Sequence, residues 1–240
     1  MRSPYRPYSL STAAHSAVLV DGLGQNRDPF APSKADSTMW SADSLRGWAC
    51  GKYDEGWGPD RDRFVTHARC VAFFPDAWVI RDSVNSNDFN PHRYEARWQL
   101  RSTKVECDSF CCRTKDQAVP NLLIIPLPPS RPVTRKLVGS PPLDIGGWDA
   151  RFSGRSIATT LIHDYGNMDS GMWYTALIPL PAGDSGGISS VKRTPSGITL
   201  QFTDGRKLVI GEAAQWPVSV RMFYRDSNQE LDSKPGAIHP

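Results

Sequence analysis

Apolar and polar positions alternate along much of the chain in short runs, as they do in β-strands. In residues 92–100, Tyr94, Ala96 and Trp98 alternate with polar or charged side chains. This period of two predicts a strand with one buried face and one wet face. Residues 121–127 form a nearly continuous apolar run whose length suits a buried strand. Helical periodicity is not sustained over three turns anywhere in the chain.

Two hairpins are predicted from turn chemistry. The run 64–74 is largely apolar on both faces, so we expect this strand to be covered on both sides. Pro75 and Asp76 supply a turn, and a β-rich run returns from residue 77. The Asp204-Gly205 step, between two further β-like runs, predicts a second hairpin.

The strand pattern, with 20 prolines and 19 glycines spread along 240 residues, predicts an all-β protein. We expect an antiparallel β-sandwich of the supersandwich type, folded as one domain over residues 1–240. Residues 127–142 are rich in proline and are interpreted as an extended connector. Residues 28–44 and 58–63 are interpreted as surface loops.

The charge of the chain excludes some partners. Its 28 basic and 25 acidic residues are well mixed and give a net charge of +3. This charge is too weak to indicate nucleic acid, although it tolerates an anionic polysaccharide. The chain contains no run of about 18 apolar residues, the length that would predict a membrane span. The N-terminal residues contain no apolar stretch that could form the core of a signal peptide.

The cysteines do not form the pattern of a disulfide framework. The chain has an odd number of them, including a vicinal pair, and no histidine lies at metal-site spacing from the C-x-x-x-C-C cluster. Buried free thiols are therefore expected. The five are Cys50, Cys70, Cys107, Cys111 and Cys112.

Two strings are similar to serine protease motifs: TAAH, which ends at His15, and GDSGG, which contains Ser185. We interpret them as coincidental. No apolar strand precedes His15, and the one acidic residue in an apolar setting, Asp144, lies far nearer to Ser185. The GDSGG string is also good turn chemistry between two β-like runs.

A different resemblance begins at His15. This histidine precedes a short apolar strand that ends in Val20-Asp21-Gly22, and Gln25 follows soon after. The segment resembles the signature of heparinase II/III-type polysaccharide lyases. The resemblance continues in the same order over most of residues 5–180, through residues 51–58, 65–84, 92–100, 145–155 and 171–180.

The resemblance implies an architecture and a chemistry. These lyases join an N-terminal α/α-toroid to a C-terminal β-sandwich, and they cleave uronic-acid polysaccharides by β-elimination. Their catalytic residues lie in the toroid or upstream on the sandwich, so none is expected in this chain. The chain is then the sandwich part of a periplasmic or secreted enzyme. Its partners would be the toroid and an anionic polysaccharide, and alone it would be inactive.

The resemblance also implies zinc. The family holds a structural zinc in the sandwich, and His15 matches the last of its ligands. The chain departs from the family pattern directly afterwards, because Ser16-Ala17 stands where Asn-Thr is usual. We expect His15 to bind zinc in the complete protein, with ligands that this chain does not supply.

Two alternative functions remain open: a carbohydrate-binding or scaffolding sandwich without chemistry, and a serine hydrolase.

Other side chains receive structural interpretations. Arg81 and Asp82 are expected to form an ion pair, and His163 and His239 to lie in loop-like or terminal sequence. Core packing is expected for Trp78, Trp98 and Trp173.

Overall fold

The computed structural model describes residues 6–26, 36–44, 46–139, 146–151, 154–184, 186–195, 197–211 and 220–223. Strands make up most of these residues. Helix in the described part is limited to α1 (Arg6–Ser9) and a 3-10 turn (Thr12–Ala14), neither of which could cross a membrane. The all-β prediction is confirmed.

The central layer is an antiparallel sheet of eight strands, called the large sheet. Its strands are β2 (Asp36–Ala42), β3 (Gly47–Tyr53), β4 (Val65–Phe74), β5 (Ala77–Ser86), β7 (Val105–Cys107), β8 (Cys112–Thr114), β9 (Asn121–Leu127) and β14 (Ser170–Leu180). Their spatial order is β2-β3-β4-β5-β14-β9-β8-β7. Strands β4 and β5 are the hairpin predicted from Pro75 and Asp76.

Two smaller sheets cover the large sheet. The small sheet consists of β1 (Val18–Val20), β6 (His92–Leu100), β10 (Val133–Val138) and β13 (Thr159–Met168), in the spatial order β1-β6-β13-β10. The terminal sheet consists of β15 (Ile188–Thr194), β16 (Gly197–Phe202), β17 (Lys207–Ile210) and β18 (Val220–Phe223), in that order. The second predicted hairpin is β16 with β17. A separate ribbon pairs β11 (Trp148–Arg151) with β12 (Gly154–Ile157).

The large sheet is buried on both faces, as the apolar pattern of residues 64–74 predicts. Successive residues of β5 illustrate this: Val79 packs toward the terminal sheet, with Leu200, whereas Ile80 packs toward the small sheet, with Trp98. Full burial of an aliphatic side chain contributes about 1.5–3 kcal/mol. The two cores on either side of one sheet therefore hold the three layers together.

Two segments interpreted from sequence as a connector and a surface loop contain strands. Strand β10 lies inside the proline-rich connector 127–142 and pairs with β13 along the edge of the small sheet. Strand β2 lies inside the segment 28–44 and pairs with β3. Both are edge strands with mainly exposed side chains, so they lack the apolar alternation that marks a strand in sequence. Residues 58–63 form a loop, as expected.

The polar face of β6 is not wet, contrary to the sequence prediction. Glu95 and Arg97 are only 5% and 8% exposed. Arg97 Nη2 lies 3.2 Å from Glu95 Oε2, and Arg135 Nη2 lies 2.6 Å from Glu95 Oε1. Part of this face is bonded to the N-terminal segment, because Gln99 Nε2 donates to the carbonyl of Ala13 over 2.7 Å. Charged side chains can be buried in this way when they are paired. The residue pattern of β6 alone does not reveal that another segment packs on its polar face.

The tryptophan prediction is partly wrong. Trp98 and Trp173 are 4% and 1% exposed and belong to the core between the large and small sheets. Trp78 is 44% exposed, because it lies near the β4–β5 turn, where its ring packs edge-on against Phe73 at 5.6 Å between ring centroids. The sequence shows that Trp78 lies in a strand, but it does not show where the layer that covers this strand ends.

The expectation of five free thiols is wrong. Cys50 and Cys70 are directly opposed on β3 and β4 and form a disulfide. Cys107 and Cys112 form a second disulfide between β7 and β8. Cys111 is free and buried. Sequence spacing missed these bridges because strand pairing, rather than cysteine count, brings the partners together.

Candidate functional site

His15 is exposed, and it lies between the 3-10 turn and β1. The segment that carries it is anchored to both sheets. The backbone N–H of Gln99 donates to Ser16 Oγ over 3.1 Å, and Arg69 of the large sheet donates to the Ser16 carbonyl. The departure from the family pattern at Ser16 therefore leaves this segment hydrogen-bonded and fixed in place.

His15 borders a surface cleft of about 300 Å³, called the His15 cleft. Across it, Arg101 Nε lies 3.4 Å from Asp149 Oδ2. The cleft thus combines an imidazole, a guanidinium and an indole ring. The lining residues are Ser9, Ala14, His15, Gln99, Leu100, Arg101, Trp148, Asp149 and Ala158.

The residues around His15 do not complete a metal site. Within the described ranges, no group of three or more His, Cys, Asp or Glu side chains has the spacing to hold a metal ion. A structural zinc takes four such ligands. His15 alone therefore does not fit a zinc ion, and any site here needs ligands from elsewhere.

A buried ionic group lies behind the segment that carries His15, and we call it the Asp82 network. Asp82 is fully buried, and its Oδ1 lies 2.8 Å from His67 Nε2 and 2.7 Å from Arg69 Nε. A second bond joins Arg69 Nη2 to Asp82 Oδ2 over 3.0 Å. Burial alone would raise the pKa of Asp82, but the charge of Arg69 and the bond to His67 hold it below the ordinary value.

The Asp82 network corrects the expected Arg81–Asp82 ion pair. Adjacent strand residues face opposite sides of a sheet, so Asp82 points to the small sheet and Arg81 away from it. Arg81 instead donates to Cys70 Sγ over 3.2 Å.

The network positions other groups and has no free carboxylate to act as a base. The guanidinium of Arg69 lies 5.6 Å from the centroid of the Trp98 ring, and it also holds the Ser16 carbonyl. One cation thereby joins the large sheet, the small sheet and the segment that carries His15.

His92, at the start of β6, is clamped by two carboxylates. His92 Nδ1 lies 2.6 Å from Asp21 Oδ2, and His92 Nε2 lies 3.0 Å from Asp88 Oδ1. Its ring stacks on Phe64 with 4.7 Å between centroids. Partial burial would lower the pKa of His92, but the two carboxylates outweigh it and raise the pKa. The clamp ties the turn after β1 to β6.

The remaining residues singled out in the sequence divide into two groups. His163 lies in the middle of β13 and is fully buried, so its loop interpretation is wrong. Ser185, Asp144 and His239 lie outside the described residues, so the structure gives no distance between His15 and Ser185. The interpretation of the two protease-like strings as coincidental therefore stays a prediction.

One signal in the sequence could have found the Asp82 network. A two-residue turn at Pro75 and Asp76 fixes the register of the β4–β5 hairpin, and this register places Arg69 directly opposite Asp82. Directly opposed charges on a sheet covered on both faces must pair. His67 is the diagonal neighbour of Asp82 on the same face.

The fold is an antiparallel sandwich of the kind that solved polysaccharide lyases contain. Heparan sulfate lyase HepC from Pedobacter heparinus matches 86% of this chain with a TM-score of 0.65 and 14% identity. A crystal structure of heparinase III matches 93% of the chain with a TM-score of 0.57 and 9% identity. The chain spans 31% of the length of each of these two proteins. No family model and no curated protein matches the chain. The predicted resemblance is confirmed at the level of the fold.

Proposed function

We propose that this chain is the β-sandwich part of a lyase that cleaves uronic-acid polysaccharides by β-elimination. The observation that carries the proposal is the match of 86% of the chain to the fold of a heparan sulfate lyase. The resemblance at His15 and along residues 5–180 in sequence favours the same class.

In this proposal the sandwich supports chemistry that other parts of the enzyme perform. β-Elimination needs a group that neutralises the uronate carboxylate, a base for the adjacent proton and an acid for the leaving oxygen. The carboxylate of Asp82 is held by His67 and Arg69, and His92 is held by two carboxylates. These groups stabilise the fold, so the catalytic groups are assigned to an α/α-toroid and strands outside this chain.

Zinc belongs to the proposal only for the complete protein. His15 is exposed and its segment is fixed, so it can contribute one imidazole ligand. The other ligands must come from residues beyond those described. No catalytic step is assigned to the metal.

The test of this proposal is the chemical identity of the product. The longest reading frame that contains this chain is expressed and incubated with heparan sulfate and with alginate, and the products are analysed by mass spectrometry. Elimination yields a product with an unsaturated uronate, whereas hydrolysis adds one water. Unsaturated products from either polymer support the proposal, and saturated products alone contradict it.

A further inference from the structure

A second cavity, far from His15 in sequence, opens between the edges of the large and small sheets. Its volume is about 290 Å³, close to the lower limit of about 300 Å³ for ligand pockets. It is bordered by the β7–β8 turn, by β9 and its connection to β10, by β10 and β13, and by Val191 of β15, and we call it the edge cavity. This volume suits a ligand of about one sugar ring.

His163 stands at the inner wall of the edge cavity with an unused hydrogen bond. The indole N–H of Trp98 donates to His163 Nδ1 over 3.3 Å. Burial lowers the pKa of His163 to about 4, so the ring is neutral and its proton lies on Nε2. This Nε2 is buried and has no partner among the described residues. His163 is fully buried, so its ring closes the inner wall of the cavity and its N–H is not offered to a ligand.

The walls of the edge cavity are largely apolar. Phe110, which is 40% exposed, and Pro126, Pro128 and Pro132 present flat hydrocarbon surfaces to the space. A pyranose ring has a similar flat face of C–H groups, with hydroxyl groups around its edge. Rings of this kind pack on aromatic and proline surfaces while their hydroxyls bond to polar groups at the rim.

Two charged side chains also line the cavity. Asp108 Oδ1 accepts the backbone N–H groups of Phe110 and Cys111 over 2.8 and 2.9 Å, so this carboxylate is fixed and partly neutralised. Arg131 is exposed, and no ion pair joins it to another described residue. An exposed guanidinium at the rim of a cavity can pair with a ligand that carries a carboxylate.

We propose that the edge cavity binds one uronate residue of a polysaccharide, with Arg131 at its carboxylate and Phe110 at its ring face. The choice of a sugar rests on the function proposed above. No reaction is assigned to this site, which would hold the polymer to the sandwich.

Binding is tested on the 240-residue chain with two probes, methyl β-glucuronide and methyl β-glucoside. Saturation-transfer NMR is expected to show both sugars bound, with at least fivefold higher affinity for the glucuronide. Phe110→Ala is expected to weaken both sugars at least fivefold. Arg131→Gln is expected to remove the preference for glucuronide and to leave glucoside binding unchanged.

Phe89→Ala is the matched control, because Phe89 is 89% exposed and does not line the edge cavity. It is expected to change neither affinity. Equal affinity for the two sugars, or absence of saturation transfer with both, overturns the proposal. Elimination activity of the full reading frame is measured separately: activity without sugar binding here overturns the edge site alone. Binding without elimination overturns the proposed function and leaves the site.

Discussion

Among the described residues, the buried charged side chains occur in compact groups rather than singly. Asp82 is shared by His67 and Arg69, and Glu95 is shared by Arg97 and Arg135. Each carboxylate is almost inaccessible to water, so its charge is tolerable only while its cationic partners stay in place. Removing one partner therefore costs more than removing an exposed charge.

Asp82→Asn tests this dependence. The substitution keeps the size of the side chain but removes the charge that holds Arg69 and His67. We expect the free energy of unfolding to fall by about 3 kcal/mol, as for other broken buried ion pairs. Urea denaturation at neutral pH measures the change. Asp60→Asn, at an exposed position, is the control and should change stability by less than about 0.5 kcal/mol. Equal effects of the two substitutions would contradict the role of the network.

The His92 clamp predicts a pH-dependent contribution to stability. The pKa of His92 is raised in the folded protein, so its protonated form stabilises the fold. That contribution is complete below the ordinary histidine pKa of about 6.5 and is lost as the pH rises through the raised folded value.

His92→Gln is therefore expected to cost about 1 kcal/mol at a pH of about 5.5, a figure kept low because Asp21 and Asp88 are partly exposed. The cost should be smaller at a pH of about 9. Denaturation of both proteins at the two pH values measures this difference. A cost that does not depend on pH would show that the clamp acts through packing on Phe64 alone.

At the scale of the strands, hydrophobic pattern and turn chemistry predicted the interior of the fold but missed its edges. The β4–β5 hairpin and the β16–β17 hairpin lie where Pro75-Asp76 and Asp204-Gly205 predicted them. Strand β10 was missed because its side chains are mostly exposed, and its pairing is supplied by β13, a partner more than twenty residues away. Long-range pairing of this kind leaves no local signal.

The candidate site was predictable to a similar extent. His15 and its strand were identified from sequence, and the register of the β4–β5 hairpin would have given the Arg69–Asp82 contact. The bond from Arg69 to Ser16 could not be predicted, because it depends on how two sheets pack. The buried state of His163 likewise depends on the large sheet that covers β13.

Strand pairing also leads to a prediction for the cysteines. Peptide mapping by mass spectrometry without reduction should find Cys50 linked to Cys70 and Cys107 linked to Cys112. Cys111 should react with an alkylating agent only after denaturation, because burial raises the pKa of its thiol to about 12. A bridge that includes Cys111, or rapid alkylation of all five thiols in the native chain, would contradict this arrangement.

Replacing Cys50 and Cys70 together by alanine removes the bridge between β3 and β4. The bridged residues are 20 apart in sequence, so the expected loss in free energy of unfolding is about 3 kcal/mol on loop-closure grounds. Chemical denaturation of the variant and the parent chain measures the loss. A variant as stable as the parent would show that the sheet holds these strands without the bridge.

For the molecule as a whole, the chain corresponds to 31% of the length of the lyases that share its fold. Zinc binding is expected to differ between this part and the complete protein. The dialysed 240-residue chain should contain no stoichiometric zinc by elemental analysis, because the described residues offer no group of three ligands. The complete protein should contain zinc, and His15→Ala should remove it. Stoichiometric zinc in the 240-residue chain would require a site that includes residues beyond those described.

The most direct measurement compares β-elimination by the full reading frame and by the 240-residue chain at equal molar concentration on the same uronate polysaccharide. Formation of unsaturated uronate is followed by its ultraviolet absorbance. The proposed division of labour predicts turnover by the full protein and none by the chain alone. Turnover by the chain alone would place catalytic groups among its own residues and contradict the proposed role of the sandwich. A full protein that binds the polymer without cleaving it would instead identify a carbohydrate-binding sandwich.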